Sequence, residues 1–163
     1  MEKEYSRISL DEWHEKVKAG DTTPITSTLT GSSMYPLIRN GRDRVTIEPL
    51  NGMPQRGDIV LFKRPDGIFS CHRVIETDSE GATIRTFGDN CRMPDDPVPL
   101  SLVYGKVTKV LRDGVVINTD TDAERQKGLR WLNSGIKRKT VLFLRRVHNF
   151  VIKTLKIKNT DYL

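Results

Sequence analysis

Long apolar runs are missing from this sequence. No stretch approaches the roughly eighteen uncharged apolar residues that a bilayer-crossing helix needs. The first thirty positions also lack the basic-then-apolar order of a secretory leader, so the chain is expected neither to span a membrane nor to be exported by the ordinary route. Cysteine is scarce as well. Cys71 and Cys91 cannot build a disulfide framework, and with no CxxC spacing they do not outline a metal site. They read as a buried reduced pair or as a redox-sensitive pair beside the chemistry; no metal or other cofactor is expected. Only three histidines occur. His14 lies among charged residues and His148 within a basic helical stretch, so both read as surface residues.

Acidic residues are absent from one long segment. Arg125 to Lys158 holds eleven Lys and Arg with no Asp or Glu, while the rest of the chain carries sixteen basic against twenty-one acidic residues. The chain is thus a mildly acidic body with a strongly basic tail. Its 163 residues, 36% hydrophobic and 29% charged, suit one soluble globular domain with a modest core.

Along the chain, Ser9-Leu10-Asp11-Glu12 is a capping box, with Ile8 and Trp13 placed as a hydrophobic staple, predicting a short helix that ends near Gly20. Strand-like runs follow at Ile25 to Thr30, Arg44 to Ile47, Asp58 to Lys63, Ile68 to Glu76, Ala82 to Phe87, Leu102 to Arg112 and Val115 to Asn118. Turn signals separate them. Asp113-Gly114, between alternating apolar residues, is the strongest hairpin signal. From Lys127 the pattern becomes helical, with Leu132, Ile136, Leu142, Val147, Phe150, Val151 and Leu155 on one broad face and a break at Asn133-Ser134-Gly135. The fold class that follows is mainly β: a coiled antiparallel sheet with a short N-terminal helix and a basic amphipathic C-terminal helix. The expected division is 1–120 for the β domain and 121–163 for the helical tail. Two fates stay open for the tail: lying apolar face down on an anionic membrane, or packing on the β domain with its basic face solvated.

Three stretches carry chemistry. Gly31-Ser32-Ser33-Met34-Tyr35-Pro36 puts a serine in a bend after an apolar-alternating run; Cys71-His72-Arg73-Val74 and Gly88-Asp89-Asn90, followed by Asp95, sit beside strand boundaries. Serine, histidine and carboxylate are the three groups a serine hydrolase needs. Together with Gly57-Asp58-Ile59-Val60 and Gly105-Lys106-Val107, these boxes resemble, in order, those of the signal peptidase I and LexA-type serine peptidase superfamily, over about half the chain from residue 25 to 111. Where bacterial signal peptidases carry a catalytic lysine, this sequence has His72, as in the archaeal and endoplasmic-reticulum variants. Lys63, nine residues before that position, is the lysine that could offer a Ser-Lys dyad instead.

The resemblance implies a coiled β fold of the LexA/signal peptidase type and a serine endopeptidase with Ser33 as nucleophile and His72 as base. It implies Asp95 as the carboxylate that orients His72. Asp89 competes for that role, and Asp96 neighbours both. The Ser33 backbone N–H is the expected oxyanion donor, with Ser32 and Met34 as further oxyanion or substrate-binding candidates; one such donor is typically worth about 3 kcal/mol. Many signal peptidases draw a second donor from a serine at the position of Gly31. The family's apolar anchor is also missing ahead of the serine. The expected substrate is accordingly a leader or signal-like peptide, processed in the cytoplasm or peripherally at the inner face of the membrane. Two other classes stand beside this one: a LexA-like regulator that binds nucleic acid and cleaves itself, and a non-catalytic peptide-binding member. Nucleic acid is the less expected partner, because the segment before Ser33 is short and acidic and the tail lacks interleaved aromatics.

Overall fold

Local sequence signals set the ends of the first helix. A computed structural model describes residues 9–154 of the chain. Helix α1 (Leu10–Lys18) starts at Ser9, whose hydroxyl accepts from Glu12 N at 3.1 Å while Glu12 accepts from Ser9 N at 2.7 Å. Trp13 is its buried residue, 1% exposed, and its indole N–H donates to Thr23 O at 2.9 Å. The staple partner Ile8 lies outside the described residues. His14 departs from expectation: it stacks on Tyr104 with ring centroids 3.9 Å apart, and burial lowers its pKa below the ordinary histidine value.

The body is a curled antiparallel sheet of strands β1 (Ile25–Thr28), β2 (Arg44–Pro49), β3 (Ile59–Lys63), β4 (Phe69–Asp78), β5 (Thr83–Phe87), β6 (Val98–Pro99), β7 (Val103–Arg112) and β8 (Val115–Asn118). Their order is β1-β2-β7-β3-β4-β5-β6, with β8 paired to the far end of β7. Register shifts at Thr46/Ile47, Leu61/Phe62 and Val74/Glu76 mark irregularities of the kind that bend and twist a sheet. Strand β3 is buried along Ile59–Phe62 because alternate side chains feed two cores. Ile59 and Leu61 join Trp13, Met34, Ile47 and Val107; Val60 and Phe62 join Val74, Ile84 and Val103. Gly105 is where β2, β7 and α1 close up, since a Cβ there would stand 2.4 Å from Glu48 O and 2.9 Å from the Trp13 ring.

The strand readings hold with small shifts at their ends. The exception is β6, two residues of which the second is Pro99 and which Pro97 precedes, so it carries too little pattern to announce itself. The tail also differs in its start. Helix α2 (Asp122–Asn133) begins five residues before Lys127, capped by Thr121, whose hydroxyl accepts from Glu124 N. It ends at Ser134, and α3 (Ile136–Thr154) follows Gly135. α2 is fastened to the sheet: Arg125 binds Asp58 at 2.6 Å as well as Asp120, and a Cβ on Gly128 would fall 2.1 Å from the Arg73 guanidinium carbon. The side chains of Leu142 and His148 and all of Leu155, Lys156 and Lys158 lie outside the described residues. Among the described residues, no helix is long and apolar enough to cross a membrane.

Candidate active site

Strand alternation divides the residues of the Cys71-His72-Arg73-Val74 box. In β4, His72 and Val74 face one side, where the His72 ring meets Phe62 edge-on at 5.9 Å; Cys71 and Arg73 face the other. All four are buried. Each of the two charged or chargeable groups then needs its own counter-charge, and the loop after β5 supplies both.

Asp95 goes to His72. Its Oδ2 lies 2.6 Å from His72 Nδ1 and accepts from the Thr86 hydroxyl at 2.6 Å, while Asp95 N donates to Thr86 O at 2.8 Å. Asp89 goes to Arg73: Nε donates to Oδ1 at 3.0 Å and Nη2 to Oδ2 at 2.8 Å, with the two side chains only 3% and 2% exposed. The Asp89 carboxylate is therefore committed to Arg73 and not to His72. Asp96 is exposed, and Lys63 is turned away to Asp11, 2.9 Å from its carboxylate, so neither takes the role left open for it.

Burial works against charge on His72, but its hydrogen bonds to Asp95 and Cys91 prevail and hold its pKa up, to about 9. Burial likewise raises Asp95, and His72 and Thr86 reverse that and keep it below the usual carboxylate value. At neutral pH the pair is an imidazolium beside a carboxylate.

The serine bend is held from three directions. Asn90 N donates to Ser33 O at 2.6 Å and Asn90 Nδ2 to Ser32 O at 2.8 Å, so the loop of Asp89 grips the serine segment directly. From behind, Arg112 Nη2 donates to Pro36 O at 2.9 Å and Leu37 O at 2.6 Å while binding the fully buried Asp43 at 2.8 Å. From within, Met34 is 4% exposed in the first core, where its side chain anchors the bend. Ser33 itself is half-buried, and the Tyr35–Pro36 peptide is cis.

Gly88 is the meeting point. A Cβ on it would stand 2.5 Å from Cys91 Sγ, 2.9 Å from Ser33 O and 3.0 Å from His72 Cδ2, so only glycine lets the three segments converge. Cys91 Sγ is 3.9 Å from His72 Nε2, whereas Cys71 is buried, which pushes its thiol pKa up to about 12. Both cysteines are free. Among the described residues, no group of three or more His, Cys, Asp or Glu is placed to hold a metal ion.

No protein-family model matches this chain, and no curated protein matches it. The residues that the sequence reading missed are those supporting the site: Arg73, Asn90, Thr86, Arg112 and two from the tail, Trp131 and Arg138. Trp131 Nε1 donates to Asp89 O at 2.9 Å, and Arg138 donates to Asp89 O at 3.1 Å and to Cys91 O. Arg73 carried a usable signal, since an arginine inside a buried strand requires a carboxylate partner.

Proposed function

We propose that this chain is a serine endopeptidase of signal-peptidase type, with Ser33 as nucleophile, His72 as general base and Asp95 as the group that orients His72. The observation that carries the reading is the 2.6 Å contact of Asp95 with His72 Nδ1 beside Gly88, where a Cβ would stand 2.9 Å from Ser33 O and 3.0 Å from His72 Cδ2. With Nδ1 committed to Asp95, Nε2, which faces Cys91 Sγ at 3.9 Å, is the nitrogen left to take the Ser33 proton once His72 is neutral. The alkoxide forming on Ser33 attacks the substrate carbonyl; His72 then protonates the leaving amine, and water clears the acyl-enzyme by the same route in reverse. The substrate on this reading is a leader or signal-like segment. Strand β1 supports it, being an end strand of the sheet that leads into the serine bend and can pair with an extended peptide. The enzyme would act on the cytoplasmic side, where both thiols stay reduced.

A second reading has its own observation. Cys91 Sγ lies 3.9 Å from Nε2, so the same His72–Asp95 pair can serve a thiol nucleophile. A mass-spectrometric cleavage assay on a mixed peptide library separates the two. Ser33→Ala abolishes new termini while Cys91→Ala keeps them if the serine reading is right. The reverse pattern transfers the chemistry to Cys91, and cleavage surviving both variants refutes both.

A further inference from the structure

Helix α3 is unusual in what it leaves uncovered. Ile136, Phe143, Leu144, Val147, Phe150 and Val151 are between 42% and 84% exposed. Their spacings of three, four and seven residues gather them on one stripe of the helix. Six large apolar side chains in one row are not the scattered exposure of an ordinary surface. The opposite side is the one tied down: Arg138, in the first turn, reaches Asp89 O and Cys91 O and lies over the Phe87 ring at 4.7 Å.

Charge decides what covers the stripe. α3 contains six Lys and Arg and no Asp or Glu, and Lys139 among them is exposed. A second copy of the chain would bring twelve cations together without one acid from either helix, which like-charge repulsion opposes. An anionic bilayer satisfies both faces at once, taking the apolar row into the acyl boundary and the cations against lipid phosphates. The helix is too short of apolar residues to cross.

We infer that α3 is an interfacial helix that docks the protein on membranes rich in anionic phospholipid. Its nineteen residues make a contact about 28 Å long. Because Arg138 joins the start of α3 to the Gly88–Cys91 loop, docking holds the candidate active site at the bilayer surface. That consequence rests on the peptidase reading and favours membrane-proximal substrates; the docking itself does not depend on it.

Co-sedimentation of the full chain with phosphatidylcholine vesicles, with and without about one-third phosphatidylglycerol, tests the inference. The expected result is binding at least about tenfold stronger to the anionic vesicles, weakened by salt. Phe143→Ser with Phe150→Ser keeps every charge and removes two large apolar contacts from an exposed face, so it abolishes binding without altering the urea unfolding midpoint. Three results overturn the inference: no binding of the wild type, full binding by the double serine variant, or a dimer in sedimentation equilibrium that the same variant dissociates. Ser33→Ala binds vesicles as the wild type does, so loss of the peptidase reading leaves this measurement intact.

Discussion

Adding one methyl group to α2 tests how the tail helix and the loop of Asp89 are joined. In Gly128→Ala the new Cβ would lie 2.1, 2.3 and 2.5 Å from Arg73 Cζ, Nη1 and Nε. Ordinary contact needs about 3.5 Å, so the guanidinium or the helix has to move by about 1 Å or more. Arg73 is a flexible side chain, but it is held in three hydrogen bonds: two to Asp89, at 3.0 and 2.8 Å, and one from Nη1 to Gly57 O at 2.9 Å. Both charges are nearly inaccessible, and breaking such a pair costs about 3–5 kcal/mol. Alanine in a helix returns about 1 kcal/mol, leaving a net loss of about 2–4 kcal/mol. Urea unfolding followed by circular dichroism reads that loss directly. In an Arg73→Met/Asp89→Leu background the same substitution is neutral or mildly stabilising, because nothing is left to displace. A Gly128→Ala protein as stable as the wild type in the native background would refute the reasoning, and with it the claim that α2 bears on the loop gripping Ser33.

Further expectations concern the site itself. On the peptidase reading, a His72 pKa raised to about 9 leaves the general base protonated below that pH, so kcat/KM climbs about tenfold per pH unit up to about pH 9 and then levels. Asp95→Asn removes the main group holding that pKa up, so its residual pH–rate profile breaks at lower pH, and an unshifted break would contradict the assignment. Gly88→Ala forces Cys91, Ser33 O and His72 apart and lowers peptidase activity about a hundredfold or more, with the circular dichroism spectrum unchanged. Arg112→Met frees Pro36 O and Leu37 O and leaves the buried Asp43 with Arg39, lowering stability by about 2 kcal/mol in urea titration.

Much of the sheet was legible because its strands alternate and its turns are marked. Asp113-Gly114 is the clearest case: the two residues take φ of 48° and 81°, the left-handed pair a tight hairpin requires, and join β7 to β8. The Ser9 capping box formed as written. The Thr121-x-x-Glu124 signal was equally present, but the apolar periodicity that marks a helix becomes plain only from Lys127 onward. What the sequence withheld was the choice between Asp89 and Asp95. Both lie in one loop within seven positions, and only folding brings Arg73 to the first and His72 to the second. The alternation of β4 contains half of that answer, since neighbours on a strand face opposite sides and cannot share a carboxylate. Cys91 at Nε2 was harder still. Its approach depends on how the Gly88 loop turns, which no periodicity encodes.

The most direct measurement is covalent labelling by a fluorophosphonate at about pH 9, with the modified residue identified by mass spectrometry. The account predicts a single adduct on Ser33, absent from Ser33→Ala and His72→Ala and retained by Cys91→Ala. Labelling of Ser33 that survives His72→Ala, or no labelling of Ser33 in the wild type, contradicts it.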